Sequence, residues 1–341
     1  MAQHPLLSPA ICTLTMREVY RMTEDEAYER FKAIKWPDGV PTCPDCGCKR
    51  SWTLKGGRRW KCKGVISDAE TGLQRKCYLQ YTVTSRTPLH SRKRSFCDIL
   101  VAIAEFVNGV LGTAALRLRR REKNSYKTPF VFQHKIREAL KVDYDQKLGG
   151  IVEVDGLFVG SKKVKPPFPI TNEAELEKFY EVYRKKQTSL VVVRERPSDD
   201  GKKPGRLRVI HRESEAAAVA FVKSVLTPGT IVHVDYGSQW MRLNMHFELK
   251  RVNHSVSYSQ DGACTNWAES FFSRVRAAER GVYRYWWPRY AEQYGVELAW
   301  KEENRLVDNG SQIDMIISCL MRAGRSSWTG YWQRYKNRIP F

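Results

Sequence analysis

A chain of 341 residues with 58 Lys and Arg against 37 Asp and Glu carries a formal charge of +21, far from the globular norm. It is long enough for two or three domains, and its charge calls for a polyanionic partner, with nucleic acid ahead of a membrane surface. No apolar run approaches the ~20 residues that span a bilayer, and no basic stretch leads into an apolar signal segment, so the expectation is a soluble chain that stays in the cytoplasm.

Residues 1–40 hold one predicted helix, Thr23 to Ile34, with Thr23 as N-cap, Glu26 at capping-box spacing and Trp36-Pro37 as its stop. The whole chain holds nine cysteines, and five of them, Cys43, Cys46, Cys48, Cys62 and Cys77, fall within thirty-five residues. In a reducing compartment that clustering points to metal rather than disulfides. Cys43-Pro-Asp-Cys46-Gly has the form of a knuckle, two thiolates flanking a tight turn whose glycine lets backbone amides face the sulfurs. Cys62 ends a basic, aromatic strand, Arg58-Arg59-Trp60-Lys61, but Cys77 comes only after fourteen intervening residues, so Lys63 to Lys76 reads as an insertion that splits the second knuckle. Cys48 stands as an alternative for one ligand. Residues 41–85 are expected to form a small zinc ribbon holding a structural Zn²⁺ on Cys43, Cys46, Cys62 and Cys77, with no open position for chemistry.

Residues 86–150 form a strongly basic stretch, with fourteen Lys or Arg against six Asp or Glu. Apolar spacing predicts helices over Phe96 to Val110 and Thr113 to Lys123, and Thr128-Pro129 supplies an N-cap and first-turn proline for a third helix running to about Lys141. Three helices with short turns suggest a helix-turn-helix over 86–148. On that reading Lys127, Gln133, His134 and Arg137 face a major groove, and Arg117, Arg119, Arg120 and Arg121 face phosphates. The competing reading is a helical linker with a solvated basic face.

From Gly149 the texture changes to strands: Ile151 to Val159, Leu190 to Arg194 and Arg206 to His211, with a charged, proline-bearing insertion at 161–187 expected to lie outside the sheet. An alanine-rich helix, Glu213 to Leu226, precedes a fourth strand at Ile231 to Val234. A short helix near Ser238 to Leu243, a fifth strand near Phe247 to Val252 and a helix opened by Thr265-Asn-Trp-Ala-Glu complete the series. Three strands, helix, strand, helix, strand, helix is the order of a ribonuclease-H-like α/β domain, a mixed five-stranded sheet flanked by helices, here assigned to 149–290. In that order the first strand carries one acid, the fourth ends on another and a later helix supplies a third. Asp155, Asp235 and Glu269 occupy those places, and hard oxygen ligands suit Mg²⁺ or Mn²⁺. Either aspartate alone would read as a turn residue or cap.

Arg274, Arg276 and Arg280 follow Glu269 at spacings of five, seven and eleven; if the helix continues, the last two share its face and hold phosphate near the metal. His254, just after the fifth strand, either contacts DNA or caps the strand. Tyr283, Tyr285, Trp286 and Trp287, beside Arg284 and Arg289, either stack on frayed bases or pack in the core. Residues 291–341 are expected to be a basic helical extension carrying Trp328 and Trp332.

Asp155-Gly-Leu-Phe-Val-Gly, Val-Asp-Tyr-Gly-Ser at 234–238, Asn253-His254 leading to Thr265-Asn-Trp-Ala-Glu-Ser, and Gly281-Val-Tyr together resemble bacterial insertion-sequence transposases of the DDE class. The ISXO-like branch, which joins an N-terminal zinc ribbon to the catalytic domain, is the nearest in pattern, and the resemblance runs roughly from Cys43 to Arg305. The chain departs from it at the split second knuckle. It departs again after Asp155, where Gly-Leu-Phe stands in place of an acidic or polar residue and an aromatic. The resemblance implies metal-dependent cleavage at transposon ends by water, then attack of the freed 3′-hydroxyl on target DNA, with two Mg²⁺ or Mn²⁺ ions ~3.5–4 Å apart clamping one phosphate. It also implies double-stranded DNA as partner, a homo-oligomer acting on two ends, a bacterial nucleoid setting, and Asn266 as an alternative to Glu269 in completing the metal site. Two other functions remain open: a non-catalytic DNA-binding protein derived from a transposase, and a metal-dependent nuclease that cuts without joining.

Overall fold

The computed structural model describes residues 7–331 apart from 68–70, 123–124, 161–168, 171, 185–187, 198–203, 213, 237, 253–263 and 285. The chain divides into two compact units, Met1–Asn108 with Ala115–Val142 and Val307–Phe341, and Gly109–Ala114 with Asp143–Leu306. No helix among the described residues is long and apolar enough to cross a membrane.

The first unit opens with helices α1 (Met16–Arg21) and α2 (Glu24–Lys35). Each begins at a full capping box, Thr15 with Glu18 and Thr23 with Glu26, so backbone donors with no partner inside the helix are satisfied locally. Strands β1 (Ser51–Thr53), β2 (Trp60–Cys62) and β5 (Gln80–Tyr81) form a small antiparallel sheet in the order β1-β2-β5. Between β2 and β5 the chain makes a separate two-stranded hairpin, β3 (Val65–Ser67) with β4 (Gln74–Lys76).

Helix α3 (Phe96–Asn108) is buried from Ile99 through Val107 on every side, as an apolar-all-round helix must be, with α1 and α2 packed on it. Helices α4 (Ala115–Glu122) and α5 (Lys127–Ala139) follow. The third of these starts earlier than expected: Tyr126 is the N-cap and Thr128 already helical, while Pro129 falls in the first turn, where its missing N–H has no partner to lose. The unit is completed by the chain's last helix, α10 (Asn309–Arg322), which sets Ile313, Ile316, Ile317, Leu320 and Met321 as one buried stripe against α2, α3 and α5.

In the second unit β6 (Ile151–Val159) occupies the residues anticipated from its apolar run. Helix α6 (Glu173–Arg184) lies within the stretch expected as an insertion and adds no strand to the sheet. Then come β7 (Thr188–Glu195), β8 (Leu207–Arg212), α7 (Glu215–Val225), β9 (Ile231–Asp235), a 3₁₀ segment (Ser238–Met245), β10 (Glu248–Val252), α8 (Asn266–Ala278) and α9 (Pro288–Glu303). The strand order is β10-β9-β6-β7-β8; β6, β7 and β8 pair antiparallel, while β6 with β9 and β9 with β10 are parallel. This mixed five-stranded sheet, with helices on both faces, is the ribonuclease-H-like architecture.

Side chains alternate across the sheet, so each strand serves two cores. Val152, Val154, Val191, Val193, Val232 and Val234 pack against α7 and the 3₁₀ segment. Leu157, Val159, Leu190, Val192, Leu207 and Val209 pack on the other face against Phe271, Phe272 and Val275 of α8 and Tyr294 and Leu298 of α9. Each fully buried large side chain contributes ~1.5–3 kcal/mol. Gly295 lets α9 lie close on this face, since a Cβ there would stand 2.8 Å from Val209 Cγ1. The sequence reading ends the catalytic domain at 290, whereas α9 packs on β7 and β8 and this unit runs to Leu306.

Candidate functional site

Parallel pairing of β6 with β9 sets Val154 opposite Val234, and one residue further along the two strands stand Asp155 and Asp235. Alternation places both on the α8 face, and both are half-buried. Each aspartate's Oδ1 accepts the next backbone N–H, from Gly156 and from Tyr236, both at 2.6 Å. Glu269 and Asn266 are exposed in the first turn of α8, which packs on β6 and β7. His254 lies outside the described residues. Among the described residues, the three acids do not form a group with ligand atoms within 4.8 Å of one another, as the cysteines below do. They supply oxygen donors on the α8 face of two inner strands and in the first turn of α8, and oxygen donors are the ligand type that a hard divalent cation takes.

Directly behind the two aspartates on the same face lies a buried polar layer that sequence reasoning missed. Glu153 has no exposed surface, and its Oε2 accepts the backbone N–H groups of Trp267 at 2.9 Å and Ala268 at 3.0 Å. Burial pushes its carboxyl up, against the opposing pull of the Ala268 amide and the Arg196 guanidinium. Arg196 also reaches His233 Nδ1 at 3.0 Å, and burial, with that guanidinium second, holds His233 below its ordinary range. Next to it Arg194 donates to the Trp267 carbonyl at 2.6 Å and to Glu302 Oε1 at 2.9 Å. The available signal was a glutamate inside an otherwise apolar strand, Ile-Val-Glu-Val-Asp, two residues before the first aspartate.

The arginines on α8 divide. Arg274, exposed, pairs with buried Glu302 at 2.8 Å. Arg276 and Arg280 are exposed. The α-helix ends at Ala278 and widens into a π turn over Glu279–Tyr283, where Arg280 Nε donates to the Arg276 carbonyl at 3.3 Å. Of the aromatic cluster, Tyr283 stacks on Tyr294 with centroids 4.3 Å apart and Trp286 is buried, so these two serve the core. Trp287 is exposed and Tyr285 lies outside the described residues.

In the first unit Cys43, Cys46, Cys62 and Cys77 bring their four sulfurs within 4.8 Å of one another. Cys46–Cys62 is 3.4 Å and Cys43–Cys77 3.7 Å, against the ~3.8 Å edge of a tetrahedron whose metal–sulfur bonds are ~2.3 Å. The first knuckle is closed by Gly47 N donating to the Cys43 carbonyl, with Gly47 at φ +69°. The insertion is the β3–β4 hairpin, and Cys77 N donating to the Gly64 carbonyl at 2.9 Å returns the fourth ligand to the place its spacing alone would deny it. Cys48 stays outside the set, its sulfur accepting from Arg50 N at 3.4 Å. Burial pushes the Cys62 and Cys77 thiols up, a penalty that a bound cation reverses by holding thiolates. The donor set and spacing are those of a structural Zn²⁺ site.

The groove-facing assignment is corrected for three residues: Gln133, His134 and Arg137 are buried at 1%, 0% and 1% exposure. His134 stacks on Trp328 at 4.2 Å and Arg137 lies over the Phe106 ring, so α5 turns these polar groups inward. Arg117 and Arg121 are exposed and pair with buried Glu105, while Arg119, Arg120 and Lys127 are exposed. Lys127 lines a cavity of about 430 Å³ together with Arg92, Lys93, Arg94 and Lys135.

A ribonuclease-H-like sheet and a four-cysteine ribbon occur in one chain, and each of these modules has a family counterpart. Residues 147–303 match the ISXO2-like transposase domain and residues 22–64 match the transposase zinc-ribbon domain. The chain belongs to the ISXO2-like DDE transposase family. No curated protein matches it.

Proposed function

We propose that this chain cleaves DNA at transposon ends and joins the freed 3′-hydroxyl to target DNA, with Asp155, Asp235 and Glu269 as its catalytic carboxylates. The observation that carries this reading is the register of β6 and β9. It sets two aspartates side by side on the face covered by α8, whose first turn presents the glutamate. These three groups would hold Mg²⁺ or Mn²⁺, which, when bound, supplies charge for activating water and stabilising the leaving oxygen. The chain's own part is to orient: two carboxylates fixed on neighbouring strands, a third on a packed helix, and Arg276 and Arg280 on the exposed side of that helix to receive phosphate. Arg119, Arg120 and Lys127 serve DNA backbone contact in the first unit, with Arg117 and Arg121 beside them. Acting on two ends calls for more than one copy on DNA.

The test is a joining assay with full-length protein, pre-cut DNA carrying the flanking terminal repeats, a supercoiled target and Mn²⁺. Joined products are expected from the parent and none from Asp155→Ala, Asp235→Ala or Glu269→Ala, each still binding the ends. Asn266→Ala is expected to keep joining; if it abolishes joining while Glu269→Ala does not, the asparagine is the third ligand. A parent that binds ends but neither cuts nor joins reduces the chain to a DNA-binding protein, and one that cuts without joining is a nuclease.

A further inference from the structure

Helix α8 has an unusual beginning. Its N-cap residue, Thr265, is buried and makes no side-chain capping bond, so the first amides of the helix need an acceptor from elsewhere. That acceptor is Glu153, whose single oxygen Oε2 takes both Trp267 N and Ala268 N. A carboxylate at this place also meets the positive end of the helix dipole. The carbonyl of the same residue, Trp267, is taken by Arg194 from β7. One peptide unit on each side of Trp267 is therefore bound to the sheet by an ionic side chain, each buried at 0% exposure. The second Glu153 oxygen is engaged as well, with Arg196 Nε at 3.4 Å and Cys264 Sγ at 3.7 Å, so the carboxylate has little freedom to turn.

We propose that Glu153 and Arg194 are positioning residues that clamp the first turn of α8 to β6 and β7, and so fix where Glu269 stands relative to Asp155 and Asp235. The clamp rests on the catalytic reading given above. Glu269 follows Trp267 by two residues, and its own N–H bonds to the Thr265 carbonyl at 3.0 Å, so a shift of Trp267 carries Glu269 with it. Glu153 sits two residues before Asp155 on one strand face, and one side chain thereby ties the first acid's strand to the third acid's helix. The apolar stripe of α8 holds the helix to the sheet but is tolerant of sliding, because dispersion contacts are non-directional. The hydrogen-bonded Trp267 carbonyl and the amides of Trp267 and Ala268 set the register. Groups that orient metal-binding residues from behind typically cost 10–100-fold in metal affinity or activity when removed.

Glu153→Gln keeps an oxygen near the amides and removes the charge. In the full-length protein, hydrogen exchange at the amides of 267–269 is expected to rise at least tenfold, while exchange in α3, α9 and β6 and affinity for transposon-end DNA stay at parent values. In the joining assay the half-saturating Mn²⁺ concentration is expected to rise about tenfold or more, with Glu153→Asp, which restores the charge one methylene short, lying between. Should the glutamine variant not fold, the aspartate variant carries the same comparison. Unchanged exchange at 267–269 overturns the clamp, and so does loosened exchange with an unchanged Mn²⁺ requirement. Joining that survives Asp155→Ala would instead overturn the catalytic reading and leave the exchange result standing, so the two failures are distinguishable.

Discussion

The cysteine cluster and the acid site use opposite means to assemble charged ligands. In the ribbon the ligands come from two short knuckles and a hairpin, all four sulfurs converge, and Cys43 and Cys62 are buried. On the α8 face of the sheet the acids stand on packed elements, remain half-buried or exposed, and have ionic side chains behind them. A closed set of donors makes the metal part of the fold, whereas an open set leaves the fold to packing and the metal to chemistry. Four substitutions separate these designs, and their expected effects on stability fall in order.

Cys62→Ser should have the largest. It removes a buried ligand from a ribbon whose β1-β2-β5 sheet has only short strands, so metal content should fall to zero zinc and the ribbon should lose its sheet. Structural zinc contributes on the order of 10 kcal/mol in small modules. Metal analysis together with circular dichroism checks this; a variant that keeps both its zinc and its ribbon would make Cys48 the fourth ligand.

Glu302→Ala should come next, at about 3–5 kcal/mol, because it leaves buried Arg194 without its counter-charge and releases Arg274 at the same time. Urea unfolding measures it. A loss below about 1 kcal/mol would mean that solvent reaches Arg194 and that the layer behind the acids is not buried in solution.

These buried ions mark the limit of what the sequence discloses. Apolar runs bounded by turn residues make the five strands legible, and the Thr23–Glu26 spacing makes α2 legible, because both signals are local. The α10 stripe at Ile313, Ile316, Ile317, Leu320 and Met321 is equally periodic, but nothing local says that it completes a unit begun three hundred residues earlier. Gln133, His134 and Arg137 look like a polar reading face, yet stacking on Trp328 supplies His134 with an interior partner that spacing cannot announce. The place of Asp155 and Asp235 follows from strand order, and their side-by-side pairing is a product of register. The β3–β4 hairpin shows the same limit in the ribbon, since the return of Cys77 depends on a backbone bond to Gly64.

Asp308→Ala should be smaller, about 1 kcal/mol, as for other exposed caps. Asp308 caps α10 by accepting Ser311 N at 2.9 Å and also receives the Thr13 hydroxyl, which ties the N-terminal segment to the helix. The Ser311 and Thr13 hydrogen bonds hold its carboxyl at about 2. A carboxyl depressed below its unfolded value near 3.9 adds stability above that value and loses it as pH falls toward 2. Parent and variant should therefore differ at pH 6 and converge near pH 2; a difference that persists at pH 2 would trace the effect to packing of Thr13 instead.

Asp235→Asn should have the smallest effect on the metal-free protein, and its sign should be reversed. Asp155 and Asp235 are like charges at the same level of neighbouring strands, and such pairs cost roughly 0.2–1 kcal/mol. Asparagine keeps an oxygen to accept the Tyr236 N–H and removes the repulsion, so the variant should melt at the parent temperature or slightly above it when chelator is present. Adding Mg²⁺ should then raise the melting temperature of the parent and leave that of the variant nearly unchanged, because only the folded parent offers paired carboxylates to bind. The ribbon behaves in the opposite way, losing its fold when chelator removes its zinc. If Asp235→Asn instead unfolds the sheet without metal, the aspartate belongs to the architecture of β9, and the acid site resembles the ribbon after all.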